Sequence, residues 1–144
     1  MIKEQSYGIV PLHKCKDGTI EILIVKWSGY RWFPKWHIEK GEQPVHTAVR
    51  ELQEETWIKN VIVDESKIFK DHYMFTFKKN ITDKYVWFFI AHTSDKKVHL
   101  QRKELSAYRR VPLADAKNLL TYESEKKIFD EVVTHLWYEK YVSL

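Results

Sequence analysis

The stretch from residue 41 to residue 58 reads GEQPVHTAVRELQEETWI and carries the pattern of an amphipathic helix. Its apolar residues recur three and four positions apart, the period of a helix with one buried face; they are Val45, Ala48, Val49 and Leu52. Pro44 fits the first turn of such a helix, because a residue there needs no backbone N–H. The sequence predicts a helix over residues 43–56 that packs on a sheet.

The polar side of this helix carries three glutamates, Glu51, Glu54 and Glu55, whose spacing places them along one edge. Crowded carboxylates repel one another and call for a compensating cation, and clustered hard oxygen ligands favour Mg²⁺ or Mn²⁺. Arg50 can hold one carboxylate through paired hydrogen bonds. A solvated acidic face is the alternative, but the Pro-Lys and Gly-Glu pairs within residues 34–42 favour a metal–phosphate site.

Strand patterns lie on both sides of the helix. Before it, we predict strands over residues 7–14, 19–27 and 30–33. The second is mostly apolar, so we expect it to be buried on both faces. After it, we predict strands over residues 60–63, 68–77, 84–92 and 108–111, a polar link over 78–83, a short helix over 113–120 and an amphipathic helix over 123–141. This order predicts an α/β fold with a mixed sheet between helices.

Composition narrows the class of protein. The chain has 144 residues, of which 44% are hydrophobic and 15% aromatic, which is enough for one domain over residues 1–144 with a real core and argues against disorder. Cys15 is the one cysteine, so neither an internal disulfide nor a CxxC zinc site can form. The apolar runs are too short to span a membrane, and we expect a cytoplasmic protein. The net charge of +4 suits a polyphosphate or a nucleic acid.

Residues 36–58 resemble the signature of the Nudix hydrolase family, Gx5Ex7REUxEExGU with U aliphatic. Glu42 is the first signature glutamate, residues 50–55 supply the whole REUxEE core, and Ile58 is the last aliphatic position. Trp36 and Trp57 stand where the signature has glycine. The loop FPKWHIEKGE at 33–42 and the segment ELSAYRRVPL at 104–113 are similar to those of the family's asymmetric diadenosine tetraphosphate hydrolases. The resemblance implies a Nudix-type α/β/α sandwich.

The resemblance also implies roles for acidic residues. Glu51, Glu54 and Glu55 would bind Mg²⁺ or Mn²⁺, and Glu104 would complete the metal shell, with an exposed loop carboxylate as its alternative. Metal-activated water would attack phosphorus in line. The predicted catalytic residues are Glu54, Arg50 and Glu104, and whether a helix glutamate or Glu104 accepts the proton stays open.

On the substrate side, the resemblance places Lys35 and His37 against phosphate oxygens, with Arg31 assisting; ordinary loop side chains are the alternative. Tyr73 and Tyr85 would line the nucleotide cleft, with core packing as the alternative for each. Tyr85, next to Lys84, is the preferred platform for a base.

The two tryptophans replace residues that usually serve a positive φ or a close backbone approach. We interpret Trp36 as a ring that projects into the cleft and Trp57 as one that packs beneath the helix and shifts the carboxylates. Because a shift of about 1 Å can cost about a hundredfold in rate, we expect metal binding with reduced turnover.

The function predicted from these features is Mg-dependent hydrolysis of a dinucleoside polyphosphate, diadenosine tetraphosphate giving ATP and AMP. The alternatives are removal of pyrophosphate from the 5′ end of RNA and a catalytically weakened Nudix module that binds nucleotides or RNA. The predicted partner is a nucleotide polyphosphate or an RNA 5′ end, with no membrane partner, and the predicted state is a monomer or weak dimer.

Overall fold

The computed structural model describes residues 1–38, 41–94, 98–100 and 107–142, without the side chains of residues 27 and 140–142. Its strands are β1 (Ile2–Lys14), β2 (Ile20–Trp27), β3 (Tyr30–Trp32), β4 (Lys35–His37), β5 (Val61–Phe77), β6 (Asn80–Thr93) and β7 (Ala107–Pro112). Its helices are α1 (Pro44–Thr56), α2 (Leu113–Ala116), a 3₁₀ turn (Lys117–Leu119) and α3 (Glu123–Val142).

The strands form a mixed sheet, in the order β3-β2-β1-β6-β5, with β4 added to β1 and β7 added to β2. β1 lies at its centre, parallel to β6 and antiparallel to β2 and β4. It begins at Ile2, five residues before the predicted start, because pairing with Thr82 and its neighbours extends the strand through a polar stretch. Pairing with a neighbouring strand thus overrides the local pattern.

The β5–β6 hairpin corrects two predictions. The strands predicted over 60–63 and 68–77 are one strand, β5, with a register irregularity between Asp64 and Phe69. The predicted link over 78–83 is only a two-residue turn, in which Lys78 and Lys79 have φ of 49° and 66°. Positive φ at both central positions matches the twist of a hairpin, so residues 80–83 are free to pair with β5.

The core lies on both faces of the sheet, as the apolar pattern of β2 predicts. Ile22 and Ile24 belong to the cluster that α3 completes with Ile128, Phe129 and Val132. Leu23 and Val25 point to the opposite face. α1 covers that opposite side of β1 with Ala48 and Leu52. Helices on both faces of a mixed sheet confirm the α/β/α sandwich.

The helices of the described ranges are too short or too polar to cross a membrane. Even α3, the longest of these, buries one stripe and leaves Trp137 and Tyr138 exposed.

Candidate active site

Arg50 organises the acidic edge of α1. Its Nη1 donates to both carboxylate oxygens of Glu54, at 3.0 and 3.2 Å, and its Nη2 lies 3.4 Å from Glu51 Oε1. The hydrogen bond and the charge of Glu54 raise the pKa of Arg50. Leu52, on the other face of the helix, is fully buried, so packing on the sheet points these carboxylates outward. One guanidinium therefore holds two of the predicted metal ligands.

The donor atoms along this edge are carboxylate oxygens, which suit Mg²⁺ or Mn²⁺ better than softer ions. Glu42 stands close enough to add to the negative potential on Arg50, and it accepts a hydrogen bond from Thr47 Oγ1 at 3.2 Å. Glu55 is half-buried beside them. The chemistry of this set fits a divalent ion, but among the described residues no three of these glutamates bring ligand oxygens within 4.8 Å of one another. The position of Glu51 and Glu54 is set by Arg50. Glu104, predicted both as a catalytic residue and as a metal ligand, lies outside the described residues.

Trp57 ends α1 in the conformation that glycine usually supplies. Its φ of 60° and ψ of 18° are left-handed, and its N–H donates to Gln53 O at 2.8 Å. Trp57 is 64% exposed, and its ring lies against the His99 ring with centroids 5.5 Å apart. The interpretation that it packs beneath the helix is therefore wrong. A left-handed non-glycine residue is strained by about 1–2 kcal/mol. The cap itself is kept, with tryptophan in the place of glycine.

Trp36 does not project into a cleft, contrary to the prediction. It sits in β4 opposite Tyr7 of β1, and only 8% of it is exposed. Its ring packs with Ile9, Ala48 and Leu52, between the sheet and α1. Because side chains alternate along a strand, burying the ring under α1 sends Lys35 to the other face. Trp36 is thus part of the apolar layer against which α1 packs.

Lys35 is a buried cation held by a buried acid. Its Nζ lies 3.5 Å from Glu125 Oε2, with side-chain exposures of 9% and 1%. The other oxygen of Glu125 accepts the N–H of Phe33 at 2.8 Å. Burial raises the pKa of Glu125, while the charge of Lys35 acts to lower it. The Lys35 ammonium also lies 4.6 Å from the centre of the Trp32 ring.

A second lysine, Lys84 of β6, approaches the same place. Burial lowers its pKa, and the charge of Lys35 lowers it further, although Glu4 lies 3.8 Å from its Nζ. Two cations close enough to repel each other through poorly solvated surroundings are a feature that favours an anionic ligand. Lys84 comes near Lys35 because strand pairing sets it opposite Tyr73 across β5 and β6. The sequence gives no direct signal of this proximity.

The predicted tyrosines lie on opposite faces of the sheet. Tyr73 is opposite Lys84 in register, half-buried against the core, and burial raises its pKa. Tyr85 faces the other way, stacked between His72 at 4.2 Å and Trp87 at 5.8 Å. Lys84 and Tyr85, adjacent in sequence, therefore cannot serve one pocket side by side.

Sequence reasoning missed an aromatic wall, which we define as Tyr30, Trp32 and Tyr122. Tyr122 stacks on Tyr30 at 5.5 Å and on Trp32 at 6.2 Å, and both tyrosines are partly exposed. The wall forms because backbone and hydroxyl hydrogen bonds join Arg31 to Thr121, just before α3. These main-chain contacts give Arg31 a structural place in β3. His37 is exposed at the end of β4.

The chain resembles known proteins in sequence and in fold. The NUDIX domain family matches residues 5–132. The bis(5′-nucleosyl)-tetraphosphatase [asymmetrical] of Rattus norvegicus is 33% identical over 124 residues, 82% of each chain, and that of Mus musculus is 29% identical over 122 residues, again 82% of each. A C. elegans Ap4A hydrolase binary complex shares the fold with a TM-score of 0.77 at 23% identity, covering 92% of this chain and 97% of that one.

A more distant likeness extends the same fold. The NUDIX domain of Shewanella oneidensis NrtR, solved with ADP ribose, has a TM-score of 0.70 at 15% identity, covering 94% of this chain and 90% of that one. The family match spans most of the chain and contains the whole acidic helix, which confirms the resemblance inferred from residues 36–58. The chain therefore belongs to the Nudix hydrolase family.

Proposed function

We propose that this Nudix hydrolase cleaves a dinucleoside polyphosphate, with diadenosine tetraphosphate giving ATP and AMP. The observation that carries the proposal is the aromatic wall beside the buried Lys35: Trp32 belongs to the wall and also contacts the Lys35 ammonium. A flat, partly exposed ring surface next to fixed positive charge suits a nucleotide, whose base stacks and whose phosphates need cations. The rat and mouse relatives named as tetraphosphatases support the choice of substrate.

The acidic edge of α1 supplies the second half of the proposal. Glu51, Glu54 and Glu55, with Glu104, would hold Mg²⁺ or Mn²⁺. Bound there, such an ion supplies Lewis-acid neutralisation of phosphate charge and a more acidic water. Arg50 holds Glu51 and Glu54 in place, as the hydrogen bonds on the helix indicate. A helix glutamate or Glu104 takes the proton of the attacking water.

In this proposal Lys35 and Lys84 bind the phosphates beside the aromatic wall, and the phosphate chain runs from there to the acidic edge of α1. The Glu125 carboxylate holds Lys35 by an ion pair and the backbone of Phe33 by a hydrogen bond, so the ammonium is fixed before substrate arrives. Burial and the charge of Lys35 lower the pKa of Lys84, and an anion near both lysines would offset these effects. Preorganised charge of this kind binds without reordering its own side chains. His37, exposed at the end of β4, would make a further phosphate contact.

The experiment is hydrolysis of diadenosine tetraphosphate with Mg²⁺ in heavy-oxygen water, with products identified by mass. Glu54→Gln keeps the size of the side chain and removes the charge, and we expect a loss of at least about a hundredfold in kcat. Glu131→Gln, on the exposed side of α3, is the matched control and should keep full activity. Equal rates for the wild type and Glu54→Gln would point to the weakened binding module, and preference for 5′-triphosphorylated RNA would point to the RNA alternative.

A further inference from the structure

A second cluster of ionisable side chains lies away from the acidic helix, where α3 crosses β5. It consists of Asp64 on β5 and of His135 and Glu139, one helical turn apart on α3. His135 Nε2 lies 3.1 Å from Glu139 Oε1 and 3.9 Å from Asp64 Oδ2. Among the described residues, this is the one trio of His, Cys, Asp or Glu side chains whose ligand atoms all lie within 4.8 Å of one another.

Asp64 is oriented by its own hydrogen bonds. Its Oδ1 accepts the backbone N–H of Ser66 at 3.0 Å and the Ser66 hydroxyl at 2.6 Å. These bonds lower the pKa of Asp64, so the carboxylate is ionised at neutral pH. With Oδ1 occupied, Oδ2 is the oxygen that faces His135. Metal-binding carboxylates are commonly steadied in this way by hydrogen bonds to the atom that does not bind.

His135 presents a buried nitrogen to the two carboxylates. The ring meets Phe69 edge-on, with centroids 5.8 Å apart, and is held between α3 and β5. Its Nε2 is shielded from solvent, yet within the described part of the chain it makes no hydrogen bond, even to the Glu139 oxygen 3.1 Å away. The carboxylate is therefore near the nitrogen without lying along its bonding direction. A buried imidazole nitrogen within 4 Å of two carboxylates is suited to an ion lying among all three groups.

We propose that Asp64, His135 and Glu139 bind one divalent transition-metal ion of zinc type. Ligands about 2.0–2.2 Å from a tetrahedral ion lie roughly 3.3–3.6 Å apart. The two distances from His135 Nε2, 3.1 and 3.9 Å, bracket that range, and all three ligand atoms lie within 4.8 Å of one another. An imidazole with two carboxylates selects zinc-like ions, whereas the all-oxygen edge of α1 selects magnesium. Three protein ligands leave a fourth position for water or another donor.

The bound ion would fasten α3 to the irregular part of β5. The strand register shifts between Asp64 and Phe69, and a groove of about 580 Å³ opens there, lined by residues that include Phe69, Lys70 and His135. A cross-link at the border of this groove joins α3 to β5 beside the register shift. The ion therefore has a structural role, separate from the hydrolytic site.

The test uses protein stripped with a chelator and titrated with Zn²⁺ in a large excess of Mg²⁺, against a competing metallochromic chelator. We expect one tightly bound zinc in the wild type and a rise in melting temperature on binding. Co²⁺ should give the visible absorption of a four-coordinate site. Each single replacement of a ligand should weaken zinc binding by at least about tenfold. The replacements are His135→Gln, Asp64→Asn and Glu139→Gln. His99→Gln, an exposed histidine elsewhere, should leave binding unchanged.

Two results would overturn the proposal. One is a wild-type protein that retains no zinc in excess Mg²⁺, which would mean that Asp64, His135 and Glu139 form ion pairs only. The other is zinc that survives His135→Gln and is lost in Glu54→Gln, which would place the ion on α1. Since Glu139 is about half exposed, Glu139→Gln should fold normally and keeps the test decisive if His135→Gln does not. The readouts need no substrate, so they are independent of the proposed hydrolysis.

Discussion

Replacing Lys35 by methionine should expose the cost of leaving Glu125 buried without a cation. The two charged groups lie 3.5 Å apart, and Coulomb attraction at that distance is about 5 kcal/mol at an effective dielectric constant of about 20. Removing one partner of a buried pair costs about 3–5 kcal/mol, mostly through the unpaired charge that remains. Methionine keeps the apolar stem and places a soft sulfur near Trp32, so packing changes little. We expect Lys35→Met to lower the free energy of unfolding by about 3–5 kcal/mol at pH 7.5.

The assay is urea denaturation at 25 °C on Lys35→Met, Glu125→Gln and the double variant. Glutamine retains an oxygen for the N–H of Phe33, so the double variant loses charge without losing that hydrogen bond. A neutral pair of similar volume is often close to the stability of a buried ion pair, and we expect the double variant within about 1–2 kcal/mol of the wild type. Lys117→Met is the control, because Lys117 pairs with Asp130 on the surface at 2.9 Å and should cost less than about 1 kcal/mol.

The pH dependence of stability tests the same reasoning. Burial raises the pKa of Glu125 above its ordinary value of 4.5, so the folded state takes up a proton more readily than the unfolded state. The free energy of unfolding that Glu125 contributes therefore falls as the pH rises from 4.5 through the raised pKa of the folded state. Without Lys35 the pKa rises further, so the deficit of Lys35→Met should shrink as pH falls. A deficit that does not change with pH, or that Glu125→Gln fails to restore, would refute the reasoning.

Three further predictions concern the substrate side and the helix end. Tyr122→Ala should raise KM for diadenosine tetraphosphate by about fivefold to a hundredfold with kcat little changed, since stacking a base is worth about 1–3 kcal/mol, and Tyr122→Phe should not. The pKa of Lys84 lies below the ordinary 10.5, so KM should rise as pH climbs through that lowered value, and Lys84→Arg, which stays charged, should flatten the profile. Trp57→Gly should stabilise the fold by about 0.5–1 kcal/mol in urea, because relief of left-handed strain exceeds the added flexibility of the unfolded chain. Its turnover should stay within about twofold; a large gain would show that the tryptophan displaces the carboxylates.

Trp36 behaves differently from Trp57 in such a test. Its ring fills the space under α1, so Trp36→Gly opens a cavity and should cost about 3–5 kcal/mol. Any activity lost in a double replacement of both tryptophans would therefore reflect unfolding as well as chemistry. Trp57→Gly alone is the informative variant.

What the sequence alone determined was local. The apolar period predicted α1 within one residue at its start, and the mostly apolar sequence of β2 predicted burial on both faces. The resemblance of residues 36–58 to the Nudix signature identified the family. The helix and strand patterns depend only on neighbours a few positions away.

Which distant groups meet depends on the tertiary structure. Pairing across β5 and β6 set Lys84 opposite Tyr73 and Tyr85 opposite His72, and it turned two predicted strands into one. Nothing local marks Glu125 as the partner of Lys35, because α3 and β4 are brought together only by folding. Contacts between elements far apart in the chain depend on register and on packing, and neither leaves a periodic trace in the residues themselves.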